Sequence, residues 1–210
     1  MWSAKLSLVF GAPLLLAAAD TVAAPESGPS RGQYRLPYED GATVKVFDDF
    51  TSHRPVGRVD LFAFAVAGGK PYKVLAAADG VVKAIQDGFS EQLSGRAAKD
   101  CHNNYVWIAH AGGEWSNYSH VAHGSVTAVG LHVGDRVKAG QVIGIEGAVG
   151  CAMLDHVHFE IAVPAPVDPL DANGFLTDND GGKRERNPRF CGLGDHPAVK
   201  GQTYTARPCD

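Results

Sequence analysis

Between Tyr34 and Val163 the chain is cut into short runs rich in Val and Ile, separated by glycine-bearing turn signals, and this punctuation limits the fold more than any other feature. Asp79-Gly80, Gly112-Gly113, Gly134-Asp135 and Ala139-Gly140 each sit between two such runs, where glycine supplies backbone angles that other residues resist. The spacing predicts strands over Thr43 to Phe47, Val59 to Phe64, Lys73 to Ala77, Gly80 to Ile85, Tyr105 to His110, Trp115 to His120 and Ser125 to Val129. Arg136 to Lys138, Val142 to Glu146 and His156 to Val163 complete the set. With 25 Gly and 12 Pro placed largely between the runs, the expected class is mostly β, an antiparallel two-sheet or barrel-like core.

A chain of 210 residues, 45% hydrophobic and 20% charged, buries one sizeable core, so one domain is expected. Ahead of it, Lys5 precedes an apolar run from Leu6 to Ala19 and small residues through Ala24, the pattern of a secretory signal peptide over 1–24. Cleavage is expected after Ala19, Ala23 or Ala24. The run is interrupted by Gly11 and Pro13 and is shorter than the roughly 20 apolar residues that span a bilayer. Residues 25–33, rich in Pro, Ser and Gly, read as a linker. The folded domain is expected over 34–167, and the polar segment 168–210 reads as an irregular C-terminal extension. No later stretch is long and apolar enough to cross a membrane, so a secreted or periplasmic monomer without membrane contact in its mature form is expected.

Cys101, Cys151, Cys191 and Cys209 fit that compartment, and with no Cys-x-x-Cys pair they speak for two disulfides and against a thiolate metal site. Three pairings are open. The expected one joins Cys101 to Cys151, both inside the strand-rich region, and Cys191 to Cys209, both in the extension, which the second bridge would staple. A formal charge of −4 leaves no basic surplus to neutralise phosphates, and the dense cationic stretch from Lys183 to Arg186 is interrupted by Glu185. Nucleic acid is not an expected partner.

The residues that could do chemistry converge on His156-Val157-His158. Side chains alternate along an extended strand, so His156 and His158 project to one side while Val157 and Phe159 face the core. In a chain with nine histidines the tripeptide alone has an ordinary reading, two polar residues on a solvated strand face. Its company changes that reading, because a hydrolytic zinc site takes three protein ligands, an open position for water and groups that move protons. Asp60 lies in the apolar run Val59-Asp60-Leu61-Phe62, where an unpaired carboxylate is costly to bury and metal coordination would offset the cost. The plainer alternative has Asp60 facing solvent on an edge strand and His53 as an ordinary loop histidine. His120 ends the Trp115 to His120 segment, where it could sit opposite the pair.

In this order the residues resemble the M23, or glycyl-glycine, endopeptidases, zinc enzymes of the lysostaphin and LytM type. Leu36-Pro37-Tyr38 with Asp40-Gly41 looks like the family's opening segment, and His53 to Asp60 like its first ligand pair. Val74 to Val82, with Ala78-Asp79-Gly80-Val81-Val82, is similar to its central hairpin, and Tyr118-Ser119-His120-Val121 to its Tyr-x-His-Leu element. Val133 to Gly144 looks like the turn series ahead of its His-x-His, so the likeness covers about Leu36 to Val163. It implies the family's duplicated hybrid β-fold and one Zn2+ held by His53, Asp60 and His158. It further implies His120 and His156 as catalytic histidines outside the metal ligands, and the peptide cross-links of bacterial peptidoglycan as substrate.

The sequence departs from the family pattern twice. The commonest form places histidine four positions before the aspartate, where this chain has Val56 and sets His53 further back on a longer loop. Asp155 stands where the family often has proline; it reads as a turn residue or as a hydrogen-bond partner of an imidazole. Glu160 shares the face of His156 and His158, either as a supporting carboxylate or as plain strand surface. Trp107, Trp115 and Tyr118 read as core or groove wall, and His102, His110, His123, His132 and His196 as surface or turn residues. Two other classes compete. One is a relative of the same fold that binds zinc or cell wall without cleaving it. The other is a biotinyl or lipoyl carrier, which Val133 to Gly144 also resembles, but the chain lacks the lysine motif such carriers present at a hairpin tip.

Overall fold

The computed structural model describes residues 27–95, 100–177 and 183–210. The expected signal peptide lies outside the described residues. Strands and turns alternate as β1 (Pro29–Tyr34), β2 (Thr43–Asp48), β3 (Val59–Ala65), β4 (Lys73–Leu75), β5 (Gly80–Gln86), β6 (Tyr105–Ala109) and β7 (Trp115–Ser119). A single helical turn α1 (Ser125–Ala128) precedes β8 (Arg136–Val137), β9 (Val142–Ile145), β10 (Val157–Ala162), β11 (Glu185–Phe190) and β12 (Thr203–Thr205). One sheet runs β12-β2-β3-β10-β7-β6-β5-β8, with β11 beside β10 and β1 beside β11, while β4 and β9 pair as a second, small sheet. The pairings are antiparallel except for β1 with β11. The fold is mostly β and open-edged, not a closed barrel.

Alternation decides which faces form the core. Val59, Leu61 and Ala63 of β3 and Val157, Phe159 and Ile161 of β10 are buried together with Val44 and Val46 of β2 and Tyr118 of β7. Val74 of β4 and Ile143 of β9 join the same cluster, which is how the small sheet closes over the large one. Burial of each such side chain contributes roughly 1.5–3 kcal/mol, so a register slip that turned these faces outward would be strongly disfavoured. The other face of β3 and β10 is thereby left to Asp60, His158 and Glu160.

Three local expectations are corrected. Ser125 to Val129 is not a strand. Gly124 takes a left-handed φ of 65°, Ser125 Oγ accepts the Ile145 N–H at 3.1 Å, and Val126 is buried, so the segment closes into α1. The expected linker 25–33 contains most of β1, because the buried Glu114 carboxylate accepts the N–H groups of Arg31 at 2.7 Å and Gly32 at 2.9 Å and the Tyr34 hydroxyl at 2.9 Å. The expected irregular extension 168–210 instead adds two strands to the large sheet, β11 beside β10 and β12 beside β2. Charged residues inside β11 hid it, yet Glu185 is buried 3.1 Å from Arg58. The disulfides join Cys101 to Cys151 and Cys191 to Cys209. Among the described residues no helix is long and apolar enough to cross a membrane.

Candidate metal centre

The centre is assembled on the face of β3 and β10 that points away from the hydrophobic core, where Asp60 and Glu160 are nonetheless buried and His158 half-buried. His158 pairs in register with Asp60 across these strands, which makes the two side chains direct cross-strand neighbours, and His158 Nδ1 lies 3.0 Å from Asp60 Oδ1. His53 comes from the loop between β2 and β3. Asp49 shapes that loop, its carboxylate accepting the N–H groups of Thr51 at 3.0 Å and Ser52 at 2.8 Å, and its carbonyl accepting the His53 N–H at 3.0 Å. His53 Nδ1 lies 2.7 Å from the Pro55 carbonyl, which can only accept, so Nδ1 donates there and Nε2 is the atom turned toward Asp60, 3.5 Å from its Oδ2. Among the described residues, His53, Asp60 and His158 form the group whose ligand atoms all lie within 4.8 Å of one another, and a His2Asp set is a zinc-type donor set.

His120 and His156 stand beside this group. His120 ends β7 with a left-handed φ of 70°, and its N–H is held by the Asn104 carbonyl at 2.9 Å. Its ring centroid is 4.7 Å from that of His156 and 5.7 Å from that of His158. Both rings are fixed in the same way: His120 Nδ1 donates to the Val149 carbonyl at 2.7 Å and His156 Nδ1 to the Leu154 carbonyl at 2.8 Å. In each, Nε2 is left as the position for exchanging a proton. His156 Nε2 is 3.5 Å from Asp60 Oδ1.

The electrostatics follow from burial and crowding. Burial would raise the Asp60 pKa, but hydrogen bonds and charge from His156 and His158 override it and hold the carboxyl far below the usual range. Burial drives His158 down to about 4 against the pull of Asp60, and burial with the neighbouring His156 and His158 drives His120 down to about 3. His156 moves the other way: burial is the largest single influence and lowers it, but the hydrogen bond and charge of Asp60, with the Leu154 carbonyl and Glu146, together outweigh burial and raise it. Neutral His120 and His158 rings keep their lone pairs near neutral pH.

The expected site residues come together around a cleft of about 820 Å³ that also takes in Arg58, Phe47, Met153, Leu154 and Phe175. The Cys101–Cys151 bridge lines the same cleft and ties down the segment whose Val149 carbonyl holds His120. Glu160 supports the centre indirectly, its Oε2 lying 3.5 Å from Nε of Arg58, which in turn meets Glu185. Asp155 is a turn residue paired with Lys70 at 2.9 Å. His110 bonds the Asp79 carbonyl and Ser116, away from the cleft, and Tyr118 is fully buried with its hydroxyl against the Ala77 N–H. Sequence reasoning missed Arg58, Asn104 and the Val149 carbonyl. Arg58 alone left a signal, a cation two positions before Asp60 on one strand face.

Among solved structures, a peptidase M23 from Pseudomonas aeruginosa is 23% identical, with a TM-score of 0.41 over 65% of this chain and 48% of its own. Lysostaphin from Staphylococcus simulans is 23% identical, with a TM-score of 0.42 over 64% of this chain and 46% of its own. A chain of the SpoIIQ–SpoIIIAH pore-forming complex is 24% identical, with a TM-score of 0.43 over 63% of this chain and 85% of its own. The chain therefore spans about half the length of the first two. No curated protein matches it. The assignment rests on the family model described as peptidase family M23, which matches residues 60–169 and so carries Asp60, His120, His156 and His158 on more than half of the chain: the chain belongs to that family.

Proposed function

We propose that this protein is a secreted zinc endopeptidase that hydrolyses peptide bonds in the cross-links of bacterial peptidoglycan. The observation that carries the reading is the convergence of His53, Asp60 and His158 within 4.8 Å, with His120 and His156 ring to ring beside them in one cleft. His53 and His158 would hold the ion through imidazole nitrogens and Asp60 through its carboxylate. When bound, zinc provides Lewis-acid polarisation of a carbonyl and lowers the pKa of water toward roughly 7. His120 and His156 then act as the proton-transfer pair. Each spends its Nδ1–H on a backbone carbonyl and keeps Nε2 for proton exchange. A neutral ring would accept the proton of the attacking water at Nε2 and, as the imidazolium so formed, pass it to the leaving amine, while the other ring, when protonated, would hydrogen-bond the developing oxyanion. Arg58, held between Glu160 and Glu185, keeps cationic charge close to His158 without supplying a ligand. The two disulfides are compatible with an oxidising compartment outside the cytoplasm.

Digestion of purified peptidoglycans of different cross-link chemistry, with and without a chelator, followed by mass spectrometry of the new termini, tests reaction and substrate together. Chelator-sensitive release of cross-link peptides is expected. Stoichiometric zinc with no release from any wall would instead identify a non-catalytic relative.

A further inference from the structure

Two of the three residues gathered at the metal centre, Asp60 and His158, lie inside the span 60–169 that the family model matches, and their strands set them in register. His53 lies outside that span, on the loop 49–58 between β2 and β3. The side chains that hold the far end of this loop lie outside it too. Arg58 donates from Nη1 to the Val56 carbonyl at 2.9 Å, and its Nη2 meets Oε1 of Glu185, on β11, at 3.1 Å. Its Nε lies 3.5 Å from Oε2 of Glu160, two positions beyond His158 on the same face of β10. The Arg58 side chain is 13% exposed and that of Glu185 1%, so each nitrogen of a planar, buried fork has its own acceptor.

Gly57 makes a second contact with the same glutamate. It is buried, with a φ of 104°, and a Cβ placed there would stand 2.8 Å from Cβ and Cγ of Glu185, so glycine is what lets the loop lie against that side chain. The Gly57 N–H donates to the Phe50 carbonyl at 2.9 Å and closes the loop on itself. From Glu185 a short series of contacts then leads to the imidazole. Glu185 meets Arg58, Arg58 holds the Val56 carbonyl, and one peptide unit earlier the Pro55 carbonyl accepts from His53 Nδ1 at 2.7 Å.

We propose that Glu185, in the chain segment beyond the family-matched span, is a positioning residue of the metal centre: through Arg58 and the Gly57 contact it fixes the loop that delivers His53. The inference rests on the metal-centre reading above and assigns the C-terminal extension a part in it. A buried ion pair recovers little more than its desolvation cost, so what this one contributes is geometry, one arrangement of a loop that the register of β3 and β10 does not reach. The strand β11 is itself tied to β10 by the pairs Ile161 with Arg186 and Ala162 with Glu185, so the anchor moves with the strand that carries His158.

The test is a double-mutant cycle read by zinc affinity, titrated against a chromogenic chelator on the full chain. Glu185→Gln keeps the side-chain shape against Gly57 and removes the charge. It should weaken zinc binding by about 10- to 100-fold, as for loss of an outer support of a ligand, whereas in a His53→Ala background the same change should alter affinity by less than about twofold. Unchanged affinity in Glu185→Gln overturns the proposal. So does an equal further loss in the His53→Ala background, which would mark a general structural effect. Should Glu185→Gln not fold, Arg58→Lys carries the same cycle, since it keeps the buried charge but cannot hold three acceptors with a planar fork. If the wild-type protein binds no zinc, the metal reading fails separately, and amide hydrogen exchange still reads the clamp: the Gly57 N–H should exchange at least tenfold faster in Glu185→Gln or Arg58→Lys, and an unchanged rate would overturn the proposal.

Discussion

Asp60 and His158 face each other because β3 and β10 are in register, whereas His53 and His120 arrive from a loop and from a left-handed turn. The strand-borne pair inherits its position from the core behind it, since moving either residue would move Leu61, Val157 or Phe159. The loop-borne pair is held instead by hydrogen bonds to carbonyls, the rings by Pro55 for His53 and Val149 for His120 and the backbone N–H groups by Asp49 and Asn104. A site that is to hold a metal ion, as proposed, benefits from both: register would fix where the ion sits, and the loops which nitrogen faces it.

The largest effect should come from the strand side. Asp60→Ala should lose stoichiometric zinc, read by plasma emission spectrometry, and bring peptide hydrolysis to background; one zinc per chain in that variant would break the comparison. On the loop side, His120→Ala should keep its zinc while kcat falls by about 10² to 10⁴, which separates a proton-transfer residue from a ligand. A smaller effect is expected from Asp49→Ala, which removes the carboxylate that organises the His53 loop. Zinc affinity, titrated against a chromogenic chelator, should weaken by about 10- to 100-fold, as for loss of an outer support of a ligand.

The disulfides sharpen the same contrast. Cys101–Cys151 spans 50 residues beside the cleft and Cys191–Cys209 spans 18 away from it, worth about 4 and about 3 kcal/mol of unfolded-chain entropy respectively. Replacing Cys191 and Cys209 by Ser should lower stability in denaturant titration by up to about 3 kcal/mol and leave kcat/KM of the folded protein nearly unchanged. A large loss of activity at full zinc occupancy would show that the distal bridge also shapes the site.

Legibility in the sequence follows this division. His156, His158 and Asp60 could be read because a period of two is written directly into the strand, with apolar residues marking the core face. His53 could be named by its likeness to a family, but its approach depends on hydrogen bonds within a loop, which no periodicity records. The β1 strand was hidden because its partners lie far along the chain: Glu114 for its N–H groups and Asn187, Arg189 and Phe190 of β11 for its ladder. The β11 strand was hidden because Glu185 and Arg186 look like solvent-facing charge until Arg58 is brought against them. A four-residue helix such as α1 is too short to show its own period.

The most direct test of the metal centre is an anomalous difference map at the zinc edge from zinc-saturated crystals. One peak is expected, within roughly 2.0–2.2 Å of a ring nitrogen of His53, a carboxylate oxygen of Asp60 and a ring nitrogen of His158, with His120 and His156 outside bonding distance. A peak bonded to His120 or His156, or no peak at all, would contradict the assignment.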